Sequence, residues 1–286
     1  MRRNNATQEL AAVFDSERCR QSIRRSRPID HWLKAVNSDV RSNRAQSHGV
    51  VSMSTNTPHV HANHMLYVVN EKAASLMLYT KIDVLLGATS AVRLRTSLTS
   101  LNSNLLLDNS FAMTFVRDPW ARLLSGYSEV TINREPGQAG AYRSIPCQPA
   151  HVTERFLEFL KELNAASRLG PEIQHVFPQA RLINVIAPRS TPTGGLYYYD
   201  AIGRVETLRT GLDEIRLRLS QHALNDELWN RTNFDPHIRH SHDSNPCIRG
   251  LDLSNASVAG LFCSMYAVDY ACFNYSLPAA CINRAT

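Results

Sequence analysis

The feature that most restricts what this chain can become is the run Phe111-Ala-Met-Thr-Phe-Val116, which passes without a break into Arg117-Asp-Pro-Trp-Ala-Arg-Leu-Leu-Ser125-Gly-Tyr127. A short run of apolar and β-branched residues is the pattern of a strand covered on both faces. Asp118 then falls at the N-cap and Pro119 at the first helical position, the order that starts a helix. Trp120, Leu123, Leu124 and Tyr127 recur at i, i+3, i+4 and i+7 and give that helix one apolar face. Arg117 is thereby held at the carboxyl end of a strand, beside a helix N-terminus, where open α/β sheets take their ligands. An arginine fork next to unpaired backbone N–H groups suits a phosphate; an arginine paired with a surface carboxylate is the competing reading.

The flanking segments repeat the strand-then-helix pattern. Met65–Val69 reads as a strand, Asn70–Ala74 as a turn and Ser75–Leu86 as a helix carrying Leu76, Leu78, Tyr79 and Ile82. This resembles a phosphate-binding loop without its glycines, and no GxxxxGK[ST] is present to make it a Walker A motif. The small Ala73 and Ala74 let backbone approach a ligand, with Lys72 as a point charge and Ser75 as a hydroxyl donor. Residues 88–110 suggest a short helix and a loop, and Ile132–His151 a turn-rich insertion. Thr153–Leu163 is an amphipathic helix, followed by Gln174-His175-Val-Phe-Pro178-Gln179 and an apolar run, Leu182–Ile186. A second apolar run, Tyr197–Ile202, precedes a helix with Leu208, Leu212, Ile215 and Leu219 on one face, and Ser257–Ala271 forms a last helix. The alternation predicts one α/β domain over residues 61–286, with a central, mostly parallel sheet flanked by helices.

Charge narrows the function classes. The chain carries +6, but residues 1–50 hold nine Arg and one Lys against five acids, so +5 of it lies there and about +1 is left for the rest. A basic arm on a near-neutral domain is not the stripe of a nucleic-acid reader, and none is expected as a partner. Residues 1–60 read as a poorly ordered arm with one short helix around Ile29–Val36. No uninterrupted apolar run approaches a membrane span and the first thirty residues show no signal-peptide core, so a membrane association is expected only if an anchor is missing from this chain. The cysteines Cys19, Cys147, Cys247, Cys263, Cys272 and Cys281 include no CxxC pair, which argues against zinc; four of them fall in the last forty residues, where one or two disulfides are expected if the compartment is oxidising. His59, His61 and His64 lack an acidic or Cys partner nearby and read as polar residues leading into the first strand. Sequons stand at Asn5, Asn230, Asn255 and Asn274, a number that chance nearly supplies in a chain this rich in Asn, Ser and Thr.

Four segments together resemble the carbohydrate sulfotransferases, close to the chondroitin and dermatan 4-O-sulfotransferases. They are Glu71-Lys-Ala-Ala-Ser-Leu-Met77, the Arg117–Ser125 stretch, His175-Val-Phe-Pro-Gln179 with Tyr199-Asp-Ala-Ile-Gly-Arg-Val-Glu-Thr-Leu208, and Tyr266-Ala-Val-Asp-Tyr-Ala-Cys-Phe-Asn-Tyr-Ser-Leu-Pro278. The resemblance implies a phosphate-loop-like sulfotransferase fold and transfer of a sulfuryl group from 3′-phosphoadenosine 5′-phosphosulfate (PAPS) to a hydroxyl of a glycan or proteoglycan, without a metal, in the Golgi lumen or at its membrane. It assigns Glu71, Lys72, Ala73, Ala74, Ser75, Leu76 and Met77 to the loop around the 5′-phosphosulfate, with Lys72 covering the charge on the leaving phosphate, and Arg117 and Ser125 to the 3′-phosphate. A sugar hydroxyl needs a general base. His175 is the first choice, with Glu206, His237, His240 and His242 as alternatives. Two departures stand out: the family usually has Pro where Glu71 stands and Thr where Leu76 stands. They motivate the rival reading, an inactive glycan- or nucleotide-binding relative; a phosphate-loop kinase is disfavoured by the missing Walker residues.

Overall fold

The computed structural model describes residues 6–14, 16–25, 50–54, 64–70, 72–74, 77–78, 82, 90–94, 110–132, 140–165, 175–186, 199–218 and 245–282. Its centre is a five-stranded sheet of β1 (Val50–Ser54), β2 (His64–Val68), β3 (Ser90–Leu94), β4 (Ser110–Val116) and β5 (Ala201–Arg204), in the order β3-β1-β2-β4-β5. β2, β4 and β5 run parallel, with Met65 opposite Phe111 and Val116 opposite Arg204. β1 pairs antiparallel with both β2 and β3. The parallel trio matches the expected α/β architecture. The antiparallel pair adds two strands from stretches that read as arm and as helix or loop. Their sequences, VVSMS and SAVRL, mix polar and apolar residues and are too short to declare a period.

β4 shows why its sequence is so apolar. Alternate side chains enter opposite layers. Phe111, Met113 and Phe115 pack with Tyr67, Val205 and Leu212 on one face, whereas Ala112 and Val116 pack with Phe14, Ile183 and Phe273 on the other. Both faces are therefore buried, as in strands flanked by helices on two sides. The first layer is covered by α6 (Leu208–Arg218) and by the helical residues 77, 78 and 82. The second is covered by α1 (Ala6–Phe14), α5 (Gln179–Ile186) and α7 (Ala256–Phe273). A third cluster, rich in aromatic rings, joins α7 to α3 (Pro119–Ile132) and α4 (Val152–Ala165) through Tyr127, Phe156, Phe159, Phe262 and Tyr266. The run Leu182–Ile186 is the body of α5 rather than a free-standing apolar stretch.

The N-terminal residues correct the expectation of a loose arm. Ala6–Phe14 and α2 (Glu17–Arg25) are helices, and Phe14 is fully buried against Tyr199 and Phe273. Composition misled here because α2 is strongly basic, while the few apolar side chains that matter, Leu10, Ala11 and Phe14, all fall on one face of α1. The helix expected around Ile29–Val36 lies outside the described residues. Disulfides also exceed the expectation: Cys19–Cys272, Cys147–Cys247 and Cys263–Cys281 pair all six cysteines, and two of them bridge distant parts of the chain.

α7 is long and apolar enough to cross a membrane by length and composition, yet 56% of that span is buried in the fold. Its Asn255 and Asn274 occupy helix caps. Asn255 accepts hydrogen bonds from the Ser257 and Val258 N–H groups, and Asn274 adopts the left-handed conformation that ends the helix. Those two sequons thus have a structural reason to hold Asn.

Candidate functional site

The parallel trio ends on one edge, and its three tips carry the residues singled out above. Asp118 caps α3 as expected, accepting from the Ala121 N–H at 2.9 Å. That capping leaves Arg117 on the last extended residue before the helix, 9% exposed. Burial pushes its guanidinium pKa down, opposed by the carboxylates of Glu206 and Asp118. Burial also raises the Asp118 pKa.

The turn after β2 adopts the shape that glycines usually supply. Lys72 and Ala74 both have positive φ, 64° and 56°, a conformation that costs a non-glycine residue energy and clusters at functional sites. Ala73 is fully buried and donates its N–H to the Asn70 carbonyl; the Ala74 carbonyl accepts from Leu78 N–H and begins the helical turn. Met77 packs partly buried against this layer. Lys72 Nζ lies 3.1 Å from Glu129 Oε2 on α3. Ser125, one turn before Glu129 on the same helix, is half-buried. Glu71, Ser75 and Leu76 lie outside the described residues, as do His237, His240 and His242.

One buried side chain, Gln179, connects these tips. Its Oε1 accepts from the Arg117 N–H at 2.9 Å and from Asn70 Nδ2 at 3.0 Å, and its Nε2 donates to the Arg117 carbonyl at 2.6 Å. Pairing the backbone N–H and C=O of one residue leaves the amide a single workable orientation. Asn70 Nδ2 also donates to the Phe115 carbonyl at 2.9 Å. The Lys72 turn and Arg117 are therefore fixed side by side through Asn70 and Gln179.

The segment before Gln179 is moulded onto α3. Arg122 Nη1 donates to the Phe177 carbonyl, and Tyr266 Oη to the Val176 carbonyl. A Cβ on Gly126 would collide with the backbone of His175. His175 is half-buried in this turn, four residues before the amide that joins the two tips.

Glu206, at the third tip, has both oxygens engaged. Oε1 accepts from the Asp118 N–H at 2.7 Å and Oε2 from Tyr275 Oη at 2.9 Å. It braces the start of α3, a role that suits a carboxylate at a helix N-terminus better than proton abstraction. Arg204 donates to the carbonyls of Phe273 and Asn274, each at 2.8 Å, and lies over the Tyr275 ring.

Gln179 and Asp269 stand in two of the segments quoted above, but sequence alone gives neither of them a role. Asp269 is an acid inside an apolar helix, the one signal that was available. Its carboxylate accepts from the Gln179 and Ala180 N–H groups at 2.9 and 2.8 Å, capping α5 from across the core. Burial pushes its pKa up to about 6, opposed by those hydrogen bonds and by Arg122. A carboxyl that binds its proton more tightly folded than unfolded favours the folded state at low pH, and that advantage disappears as pH rises from 3.8 to about 6. Relative to Asp269→Asn, the wild type should therefore lose roughly 3 kcal/mol of stability across that window. Urea titrations at pH 4 and 6.5 check this, and equal slopes in the two proteins would refute it.

The fold and its edge define a class: an α/β protein whose cationic and capping residues gather at the carboxyl ends of parallel strands. The Sulfotransferase family matches residues 88–276 of the 286, and the chain belongs to that family. The matched span contains Arg117, Ser125, His175, Gln179 and Glu206 and begins after Lys72. Membership supports sulfuryl transfer as the chemistry, and the family typically draws the group from PAPS. No curated protein and no solved structure matches the chain. Among the described residues no three His, Cys, Asp or Glu side chains gather where a metal would sit.

Proposed function

We propose that the chain transfers the sulfuryl group of PAPS to a hydroxyl of a carbohydrate acceptor, a glycan or proteoglycan of the kind used by the chondroitin and dermatan 4-O-sulfotransferases it resembles. The observation that carries this reading is the shared Gln179 anchor, which sets the lysine turn and the arginine tip next to each other on the ligand-binding edge of the sheet. A donor with phosphates at two ends needs two cationic positions. The Lys72 turn, with its left-handed backbone, suits the 5′-phosphosulfate, and Arg117 with Ser125 the 3′-phosphate. Lys72 would exchange Glu129 for the donor's phosphate. His175 is the proposed base: it takes the hydroxyl proton as the sugar oxygen bonds to sulfur, the bond from sulfur to the bridging phosphate oxygen breaks, and adenosine 3′,5′-bisphosphate leaves. Position and charge do most of the work in such a transfer. Three disulfides favour an oxidising compartment, which fits the Golgi lumen.

Calorimetric titration of adenosine 3′,5′-bisphosphate tests the reading. The wild type should bind, and Arg117→Ala and Lys72→Ala should each weaken binding by about tenfold to a hundredfold, the worth of a hydrogen bond to a charged group. No binding by the wild type overturns the proposal. Binding without transfer of labelled sulfate to any of a panel of glycans would favour the inactive relative.

A further inference from the structure

The two anion-binding positions proposed above belong to different segments, one following β2 and one following β4. Each turn keeps its own local shape through its own bonds: Ala73 to Asn70 in the first, Ala121 to Asp118 in the second. Beyond the β2–β4 pairing and the Lys72–Glu129 ion pair, a buried polar bridge ties the two turns together. Asn70 and Gln179 are each 0% exposed. Asn70 Nδ2 reaches across to Gln179 Oε1, and Gln179 grips both sides of the Arg117 peptide. The bridge is in turn anchored to the core by Asp269, through the Gln179 N–H. Asn70 Nδ2 and both polar atoms of the Gln179 amide are bonded, while Asn70 Oδ1 is buried with no hydrogen-bond partner among the described residues, so the bridge resists a change of span through its four bonds.

We infer that Gln179, with Asn70, is a positioning residue that sets the span between the two phosphate positions and so selects a nucleotide carrying phosphate at both its 3′ and 5′ ends over one carrying either alone. The inference rests on the proposed function and sharpens it. A ligand held at both ends gains from the second contact only if the span matches its length, in the same way that a bivalent ligand depends on the spacing of its sites. A ligand held at one end is indifferent to the span. Neither Gln179 nor Asn70 needs to touch the donor.

The experiment compares adenosine 3′,5′-bisphosphate with adenosine 5′-monophosphate and adenosine 3′-monophosphate by calorimetry, on wild type, Asn70→Ala and Gln179→Glu. Asn70→Ala cuts the bridge from one side and leaves the Gln179 grip on Arg117. It should lower affinity for the bisphosphate by roughly tenfold while changing each monophosphate by less than about twofold. Gln179→Glu keeps the Oε1 acceptor, but when ionised it turns a second oxygen toward the Arg117 carbonyl, where the amide had donated. Its preference for the bisphosphate, divided by that of the wild type at the same pH, should be low at pH 8 and recover at pH 5.5, where a protonated carboxyl donates again. Equal losses for all three nucleotides, or a bisphosphate preference untouched by both variants, would overturn the inference and leave the proposed function standing. A wild type with no preference for the bisphosphate would overturn both.

Discussion

Gly126→Ala is expected to destabilise the protein by about 3 kcal/mol and to abolish nucleotide binding at temperatures where the variant remains folded. Gly126 lies in α3, where alanine would ordinarily gain stability by restricting the unfolded chain. Here the added Cβ would meet the His175 carbonyl oxygen, and would stand 2.7 Å from both the His175 carbonyl carbon and Val176 Cγ1. Backbone atoms cannot rotate away, so either α3 or the 175–178 turn must move. Moving them stretches the Arg122 bond to Phe177 and the Tyr266 bond to Val176, and it shifts Gln179, which follows immediately. The disturbance therefore runs along the chain to the Arg117 peptide. Gly211→Ala is the matched control: its Cβ would meet the Phe115 ring at 3.4 Å, Thr7 Cγ2 at 3.6 Å and Gly203 Cα at 3.8 Å, all ordinary contacts, so this helical glycine should accept alanine with little change. Denaturation midpoints together with adenosine 3′,5′-bisphosphate titrations measure both effects. Unchanged behaviour of Gly126→Ala would mean that the turn bearing His175 is not pressed onto α3.

The parts legible in the sequence were those where one local rule acts alone. The apolar run of β4, the Asp118-Pro119 start of α3 and the apolar face of α4 each followed from period or capping; of the four α4 residues whose spacing turns them inward, Phe156, Leu160 and Leu163 are buried and Leu157 is partly buried. The position of Arg117 followed from the junction of two such elements. What could not be read were features created by meeting of distant segments. Nothing local marks Gln179 as the partner of residues 62 and 109 positions away, because a glutamine at the start of a helix is unremarkable until its surroundings exclude water. Gly126 looked like an ordinary residue between Ser125 and Tyr127; only the 175–178 turn packed against it explains the missing side chain. Glu206 reads from sequence both as an alternative base and as a carboxylate at a helix start, and its two oxygens accept from Tyr275 Oη and the Asp118 N–H. Cysteine spacing gave part of the pairing: Cys263–Cys281 lies near the C-terminus as expected, whereas the partners of Cys19 and Cys147 are brought to them by the fold and not by sequence separation.

The second large effect concerns the N-terminal helices, which lie outside the 88–276 family match. A chain beginning at residue 26 should fail to form a cooperative fold. Residues 6–25 cover the sheet face directly behind the arginine tip: Leu10, Ala11, Phe14 and Cys19 share one cluster with Val116, Ile202, Val268 and Phe273. Phe14 stacks on Phe273 with ring centroids 5.7 Å apart and meets Tyr199 edge-on at 6.0 Å. The Thr7 N–H donates to Glu214 on α6 at 3.0 Å, and Cys19 is bonded to Cys272 at the end of α7. Phe14→Ala alone should cost about 3–5 kcal/mol, as for other fully buried aromatic side chains. Removing the Cys19–Cys272 bond by replacing both cysteines with alanine should cost about 2–5 kcal/mol. Deleting both helices removes these contributions together and exposes the apolar face of β4 and β5, a combined loss comparable with the whole stability of an ordinary domain. Urea denaturation followed by near-ultraviolet circular dichroism ranks the variants, with the truncated chain expected to show no cooperative transition. A truncated chain that unfolds at the wild-type midpoint would show that the first 25 residues add nothing to the core. Loss of the transition would instead mean that the sheet edge carrying Arg117 is held in shape by a segment beyond the family's matched span.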